Sequence, residues 1–240
     1  GRARAAVVVA RTDLDKTSLF APFDGIVAEV TIEIGEWTTP SPPAMPVPAV
    51  LDVLVPTSIF IRAPREGTPY VDGMEIQLLD DRGEKWKNLN PDQFTGAIYA
   101  AAAPDQRATK PAGEWQSMRI RCIGRRCQVW VKGEQVIYAD LYEVAGKYGK
   151  KIPGLNRSRG VIGLQNHGDP VSFRNIRIRE LDSAGWIQLF NGRDLEGWHE
   201  NRFKHEPEWK VIDGILTGHG GQGYLSSLQT FDDFELVSEA

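Results

Sequence analysis

An all-β sandwich is the fold that this 240-residue sequence predicts. Three observations carry the prediction. Short segments alternate apolar and polar residues with period two, as in Ser117-Met118-Arg119-Ile120-Arg121-Cys122 and Cys127-Gln128-Val129-Trp130-Val131-Lys132; that is the pattern of a strand with one buried face. The 24 glycines and 15 prolines suit a turn-rich β chain better than a helical one. Helix-period patterning is almost missing: residues 140–150 form the one stretch that reads as either a short helix or a loop. Many short strands at near-regular spacing point to a sandwich or jelly roll.

The elements follow in order. Residues 1–56 form a small β segment of their own. Asp24-Gly25 is a turn signal. From Ile26 to Ile34 the even positions are apolar and the odd ones mostly polar, which predicts a half-buried strand. Five prolines in residues 40–48 exclude regular structure there, and 49–55 is a further apolar strand candidate. Ser58-Ile59-Phe60-Ile61-Arg62-Ala63-Pro64 reads as a strand stopped by proline. Gly73-Met74-Glu75-Ile76-Gln77-Leu78-Leu79-Asp80-Asp81 reads as a strand whose Ile76 and Leu78 enter a core while Glu75 and Gln77 face away. A short strand at 95–100 and a proline-bearing loop come next. The two alternating strands quoted above are joined through Ile123-Gly124-Arg125-Arg126, a hairpin turn, and a third runs to Tyr138. Residues 160–168 and 171–179 complete a block over 57–182. Residues 186–240 hold further strands, including Trp209-Lys210-Val211-Ile212, Tyr224-Leu225 and Phe234-Glu235-Leu236.

Composition excludes several classes. The net charge is −4 and no long basic run occurs, so the chain does not read as a nucleic-acid binder. No apolar run approaches the length of a transmembrane helix. Residues 5–10 follow two arginines and imitate a signal peptide, but the run is too short for one. Cys122 and Cys127 flank the hairpin turn, where a cross-strand disulfide and a pair of buried thiols both fit.

Two resemblances enter on these motifs. Thr17-Ser18-Leu19-Phe20-Ala21-Pro22-Phe23-Asp24-Gly25-Ile26-Val27, with Ile34-Gly35-Glu36-Trp37 and the proline-rich step after it, resembles the lipoyl-like half-motif of bacterial membrane-fusion (periplasmic adaptor) proteins. No lysine stands at its turn, so it is not a lipoate carrier. This resemblance implies a membrane transporter as partner if the segment is functional, and a part in envelope assembly. The second covers about three quarters of the chain. Leu189-Phe190-Asn191-Gly192-Arg193-Asp194-Leu195-Glu196-Gly197-Trp198, Ile59-Phe60-Ile61-Arg62-Ala63-Pro64, the 73–81 strand, Gly96-Ala97-Ile98-Tyr99, Gly163-Leu164-Gln165-Asn166-His167-Gly168 and Phe173-Arg174-Asn175-Ile176-Arg177-Ile178 resemble the 3-keto-disaccharide hydrolase domain family, a concanavalin A-like jelly roll. The order is rotated, with the family's opening motifs at 186–240. Three arrangements fit: a circular permutant completing one sandwich, a slice through tandem copies, or joined unrelated pieces.

The second resemblance implies cleavage of a glycoside already oxidised to a ketone at sugar carbon 3. The ketone acidifies the hydrogen on carbon 2, so the route needs a base, a group to hold the enolate, and an acid for the leaving oxygen. Glu75 is the first candidate for base and His167 the second. Arg62, taken to share a face with Phe60, is the candidate to polarise the ketone. Gln77 and Asn166 are candidates to bind sugar hydroxyls, and Tyr99, Trp130 and Tyr224 to stack on a sugar ring. Asp80 and Asp81 are candidate ligands for a divalent metal, although no tight spacing demands one, and no other cofactor is expected. The expected partner is a carbohydrate or keto-sugar, and the expected location is periplasmic or extracellular. A non-catalytic carbohydrate-binding module on the same fold is the alternative.

Overall fold

The computed structural model describes residues 57–181, 185–203 and 207–240, all within one compact unit. The adaptor-like motif and the strand candidates of residues 1–56 lie outside the described residues.

Two antiparallel sheets pack face to face as a jelly-roll sandwich. The first runs in the order β2 (Met74–Leu78), β1 (Thr57–Ala63), β6 (Val161–Asn166), β12 (Gly223–Ser227), β9 (Trp198–Arg202). The second runs β10 (Pro207–Ile212), β11 (Ile215–Gly220), β7 (Val171–Glu180), β13 (Phe234–Glu239), β3 (Ser117–Ile123), β4 (Arg126–Val131), β5 (Glu134–Asp140), with the two-residue β8 (Ile187–Gln188) against β7. Strands from the last fifth of the chain therefore stand inside both sheets: β12 between β6 and β9, and β13 between β7 and β3.

Alternation decides which side chains enter the core. Ile59 and Ile61 of β1, Ile76 and Leu78 of β2, Ile162 and Leu164 of β6 meet Ile120, Val129, Phe173, Ile178 and Leu236 of the other sheet in one apolar cluster. Burying each such side chain contributes about 1.5–3 kcal/mol. The 140–150 stretch resolves as a helix. Asp140 caps it by accepting a hydrogen bond from the Tyr142 N–H, and Leu141 plugs its first turn into the core. It is α2 (Leu141–Tyr148), after the single-turn α1 (Pro69–Asp72). The 95–100 strand shrinks to isolated bridges from Ile98, one to Ile76 and one to Ala102. Cys122 and Cys127 face each other across the β3–β4 hairpin as free, buried thiols with sulfurs 3.8 Å apart. The hydrogen bond between the two sulfurs holds the Cys122 thiol below its ordinary pKa and pushes Cys127 well above it.

Candidate functional site

The face of the first sheet that turns away from the core is the candidate site, and strand register assembles it. Phe60 stands opposite Glu75 on one side and Gly163 on the other; Gly163 stands opposite Ser226, and Ser226 opposite His199. The Ile76–Ile98 bridge and the Tyr99 N–H donated to the Glu75 carbonyl extend this row to Tyr99. The next row along holds Gln77 and Ser58 as one pair and Gln165, Tyr224 and Asn201 as successive partners. Paired residues share a face of the pleat. Two rows of mostly polar side chains therefore line the face of the sheet turned from the core; Ser58, Gln77, Gln165 and Ser226 are buried there, and His199 at the far edge is exposed.

Glu75 is the chemical centre of this face. Ser58 Oγ lies 2.5 Å from Glu75 Oε1 and 3.5 Å from the Gln77 side-chain oxygen. Burial pushes the Glu75 carboxyl up to about 7, partly opposed by the Ser58 hydrogen bond. A carboxyl with that pKa exchanges protons near neutrality, as a general base must. At the far edge the Asn201 amide donates to Ser226 Oγ at 2.9 Å.

Between these ends the floor is aromatic. Phe60 and Tyr224 meet edge to face, centroids 5.4 Å apart with planes at 88°. They close over Gly163, where a Cβ would lie 3.0 Å from Phe60 Cδ2 and 3.4 Å from Tyr224 Cδ2. Gly163→Ala is expected to force these rings apart and to cost about 1–3 kcal/mol, measured as a lower urea midpoint with an unchanged slope.

The remaining candidates fall in other places. Arg62 is not on this face. Its φ of 49° breaks the strand alternation, and the β1–β6 register shifts between Phe60 and Ala63. Its side chain, 1% exposed, turns instead to the Gly124, Arg157 and Asp232 carbonyls and to Asp233. With its N–H groups occupied there, it cannot polarise a ketone beside Glu75. His167 is exposed just past the end of β6, four residues along from Gly163 and two strands across from β2. Strand geometry puts it on the order of 15 Å from Glu75, too far to share a reacting atom. Asn166 has the opposite parity from Gln165. It is fully buried and accepts the Gly168 N–H, and its Nδ2 has no partner among the described residues. Trp130 belongs to the other sheet, its ring covered by the Arg119 guanidinium at 3.8 Å. Tyr99 and Tyr224 stay with Glu75 and Gln77 on the outer face, the Tyr99 hydroxyl accepting from the Gln93 amide at 3.0 Å.

Asp80 and Asp81 serve the loop after β2. Asp80 accepts the Arg82 N–H and Asp81 accepts the Thr95 N–H, and burial raises the Asp81 pKa. Among the described residues no three His, Cys, Asp or Glu side chains gather as a metal site. The sequence reading left out Ser58, Gln165, Ser226 and Asn201. Ser58 carried a signal: it alternates with Ile59 and Ile61 just as Glu75 and Gln77 alternate with Ile76 and Leu78.

Fold and site together define a jelly-roll sandwich with a proton-exchanging carboxylate set among amides and hydroxyls on one sheet face. Residues 54–179 and 185–240 match the 3-keto-alpha-glucoside-1,2-lyase-like domain, and the chain belongs to that family. It is also 27% identical over 132 residues to a 3-keto-disaccharide hydrolase of Bacteroides thetaiotaomicron, a match covering 47% of this chain and 46% of that protein. The chain thus spans about half the length of that curated relative. Two crystal structures of candidate glycosyl hydrolases from Parabacteroides distasonis are also similar. One has a TM-score of 0.39 at 19% identity, covering 78% of this chain and 70% of that one. The other has 0.34 at 16%, covering 79% and 66%.

Proposed function

We propose that the chain cleaves 3-keto-glycosides, with Glu75 as the base. The observation that carries this reading is the Glu75 carboxyl, raised to about 7 on a face lined by amides and hydroxyls. Family membership supports the substrate class. The sugar's C3 ketone makes the C2–H bond acidic. Glu75 takes that proton, and the bonding pair forms an enolate across C2 and C3. The enolate collapses to a C1–C2 double bond and the C1–O bond breaks, its pair leaving with the aglycone oxygen. Water then adds across the double bond, hydroxyl to C1 and hydrogen to C2, which gives the free 3-keto sugar. Gln77 and Gln165, in the row next to Glu75, are the groups assigned in this reading to hydrogen-bond the sugar. This route differs from the two-carboxylate glycosidase mechanism, and the face offers one carboxylate to match it.

Incubation with a 3-keto-glucoside and detection of free 3-keto sugar tests the reading. Binding without product would make the chain a carbohydrate-binding module instead. The pH dependence is specific. Glu75 works deprotonated, so kcat/KM should rise about tenfold per pH unit below 7 and level off above it. Ser58→Ala removes the hydrogen bond that lowers this pKa, so the rising limb should move to higher pH. A limb that stays in place would separate Ser58 from the base.

A further inference from the structure

Phe60, Tyr224, Phe203 and Tyr70 form a chain of ring contacts on the outer face of the first sheet, and the reaction above gives none of them a role. Tyr224 lies 5.3 Å from Phe203 with planes 33° apart, and Phe203 meets Tyr70 at 6.5 Å and 72°. Tyr70 belongs to α1, in the connection from β1 to β2 at one edge of the sheet. Phe203 follows β9 at the other edge. Those edge strands are four spacings apart, roughly 19 Å, so the contact between the two rings spans the sheet above its floor. Phe60 and Tyr224 are buried, while Tyr70 is 46% and Phe203 38% exposed.

The outer pair is unlike the other exposed rings. Tyr138, Tyr142 and Trp186 each lie under an arginine guanidinium: Arg126, Arg125, and Arg177 with Arg179. Among the described residues no cation covers Tyr70 or Phe203. Outside their contacts with each other and with Tyr224, the two rings leave part of their apolar surface exposed on the face that carries Glu75.

We propose that Tyr70 and Phe203 form the aglycone subsite, an apolar wall on which the leaving group of the keto-glycoside stacks, and that this wall selects an aromatic aglycone over a second sugar. The inference rests on the proposed reaction. Two observations point to an aromatic leaving group. The amides and hydroxyls that suit sugar hydroxyls (Gln77, Ser58, Gln165, Asn201) lie on the floor, whereas the wall is two rings. A sugar there would lose water from its hydroxyls without regaining hydrogen bonds, while an aryl ring gains buried area and ring contacts. Secondly, no second carboxyl meets the base among the described residues: Glu75 bonds the Ser58 hydroxyl, the neighbouring Tyr99 hydroxyl is held by the Gln93 amide, and His199 lies on β9, four strands from β2. His167 stands far off, and the Asp80 and Asp81 carboxylates are engaged in their loop. A sugar alkoxide needs a proton to depart. A phenol ionises near 10, as tyrosine does, and leaves as phenolate without one.

The test compares phenyl and methyl 3-keto-glucosides as substrates for the full chain and for Tyr70→Ala, Phe203→Ala and the double variant. The readout is the ratio of kcat/KM for phenyl over methyl, which removes the intrinsic difference between the leaving groups. The expected result is at least a tenfold fall in this ratio in the double variant, with recovery in Tyr70→Phe and Phe203→Tyr. A ratio unchanged in properly folded variants overturns the subsite while leaving the reaction standing. Failure of the unmodified chain to release 3-keto sugar from either compound overturns the reaction, and the subsite with it.

Discussion

Glu75→Gln is expected to lose turnover by roughly 100- to 10,000-fold, the usual range for a positioned proton-transfer group, while making the protein more stable at pH 8. The stability gain follows from linkage. In the unfolded chain this carboxyl titrates near its ordinary value of 4.5, whereas in the fold burial holds it at about 7. Below 4.5 both states are protonated and the group contributes nothing. Between the two values the unfolded chain releases its proton and the fold does not, so stability falls as pH rises. Above 7 the loss is complete, at about 3 kcal/mol. Glutamine cannot ionise, so the variant should match the parent in urea unfolding at pH 4.5 and exceed it by up to about 3 kcal/mol at pH 8. A difference that does not change with pH would mean that Glu75 is not held near 7. Retained turnover would remove it as the base.

Arg62→Met is expected to act the other way, costing about 1–3 kcal/mol, the penalty for backbone carbonyls left without their donor; the ion pair adds little, because the Asp233 side chain is 42% exposed. The guanidinium is 1% exposed and donates to three backbone carbonyls and Asp233, whose Oδ1 also accepts the Gly124 N–H at 2.7 Å. These contacts tie the end of β1 to the β3–β4 hairpin turn and to the loop before β13. Methionine fills part of the volume and leaves the carbonyls without donors. Lysine should recover little, because one ammonium cannot reproduce the planar fork. Urea unfolding reads the loss, and kcat per folded molecule should stay within a fewfold of the parent at low temperature. Full stability with lost turnover would return Arg62 to the chemistry.

The contrast between these two residues shows what was legible in the sequence. Alternation gave the strands and, for β2, the correct faces, because Met74–Leu78 is regular and its polar residues have no other place to go. The same rule misplaced Arg62, since one residue at φ 49° reverses the parity of everything after it and nothing in Ile59-Phe60-Ile61-Arg62 announces the turn. The alternating pattern of β4 showed Trp130 to be on a polar face but not which sheet that face belongs to. Sheet membership is settled by pairing between residues far apart in the chain. Ser226 and Asn201 escaped for that reason: they reach the Glu75 face only because β12 and β9 join β6 from more than thirty residues away. The N-cap at Asp140 is local, and it separates helix from loop in 140–150 once the Tyr142 N–H is seen to donate to its carboxylate.

The central place of β13 has a consequence for how the molecule assembles. β3 and β7 are synthesised earlier, yet neither pairs with the other; each hydrogen-bonds only to β13 on that side. Until Phe234–Glu239 arrives, the second sheet is two separate pieces with open edges, the kind of surface that templates pairing with another chain. Most of its stabilising contacts are long-range, so loop closure precedes reward and folding is slow. The same vacancy between β3 and β7 can accept the β13 of a neighbouring copy, so strand exchange is the misassembly to which this topology is open.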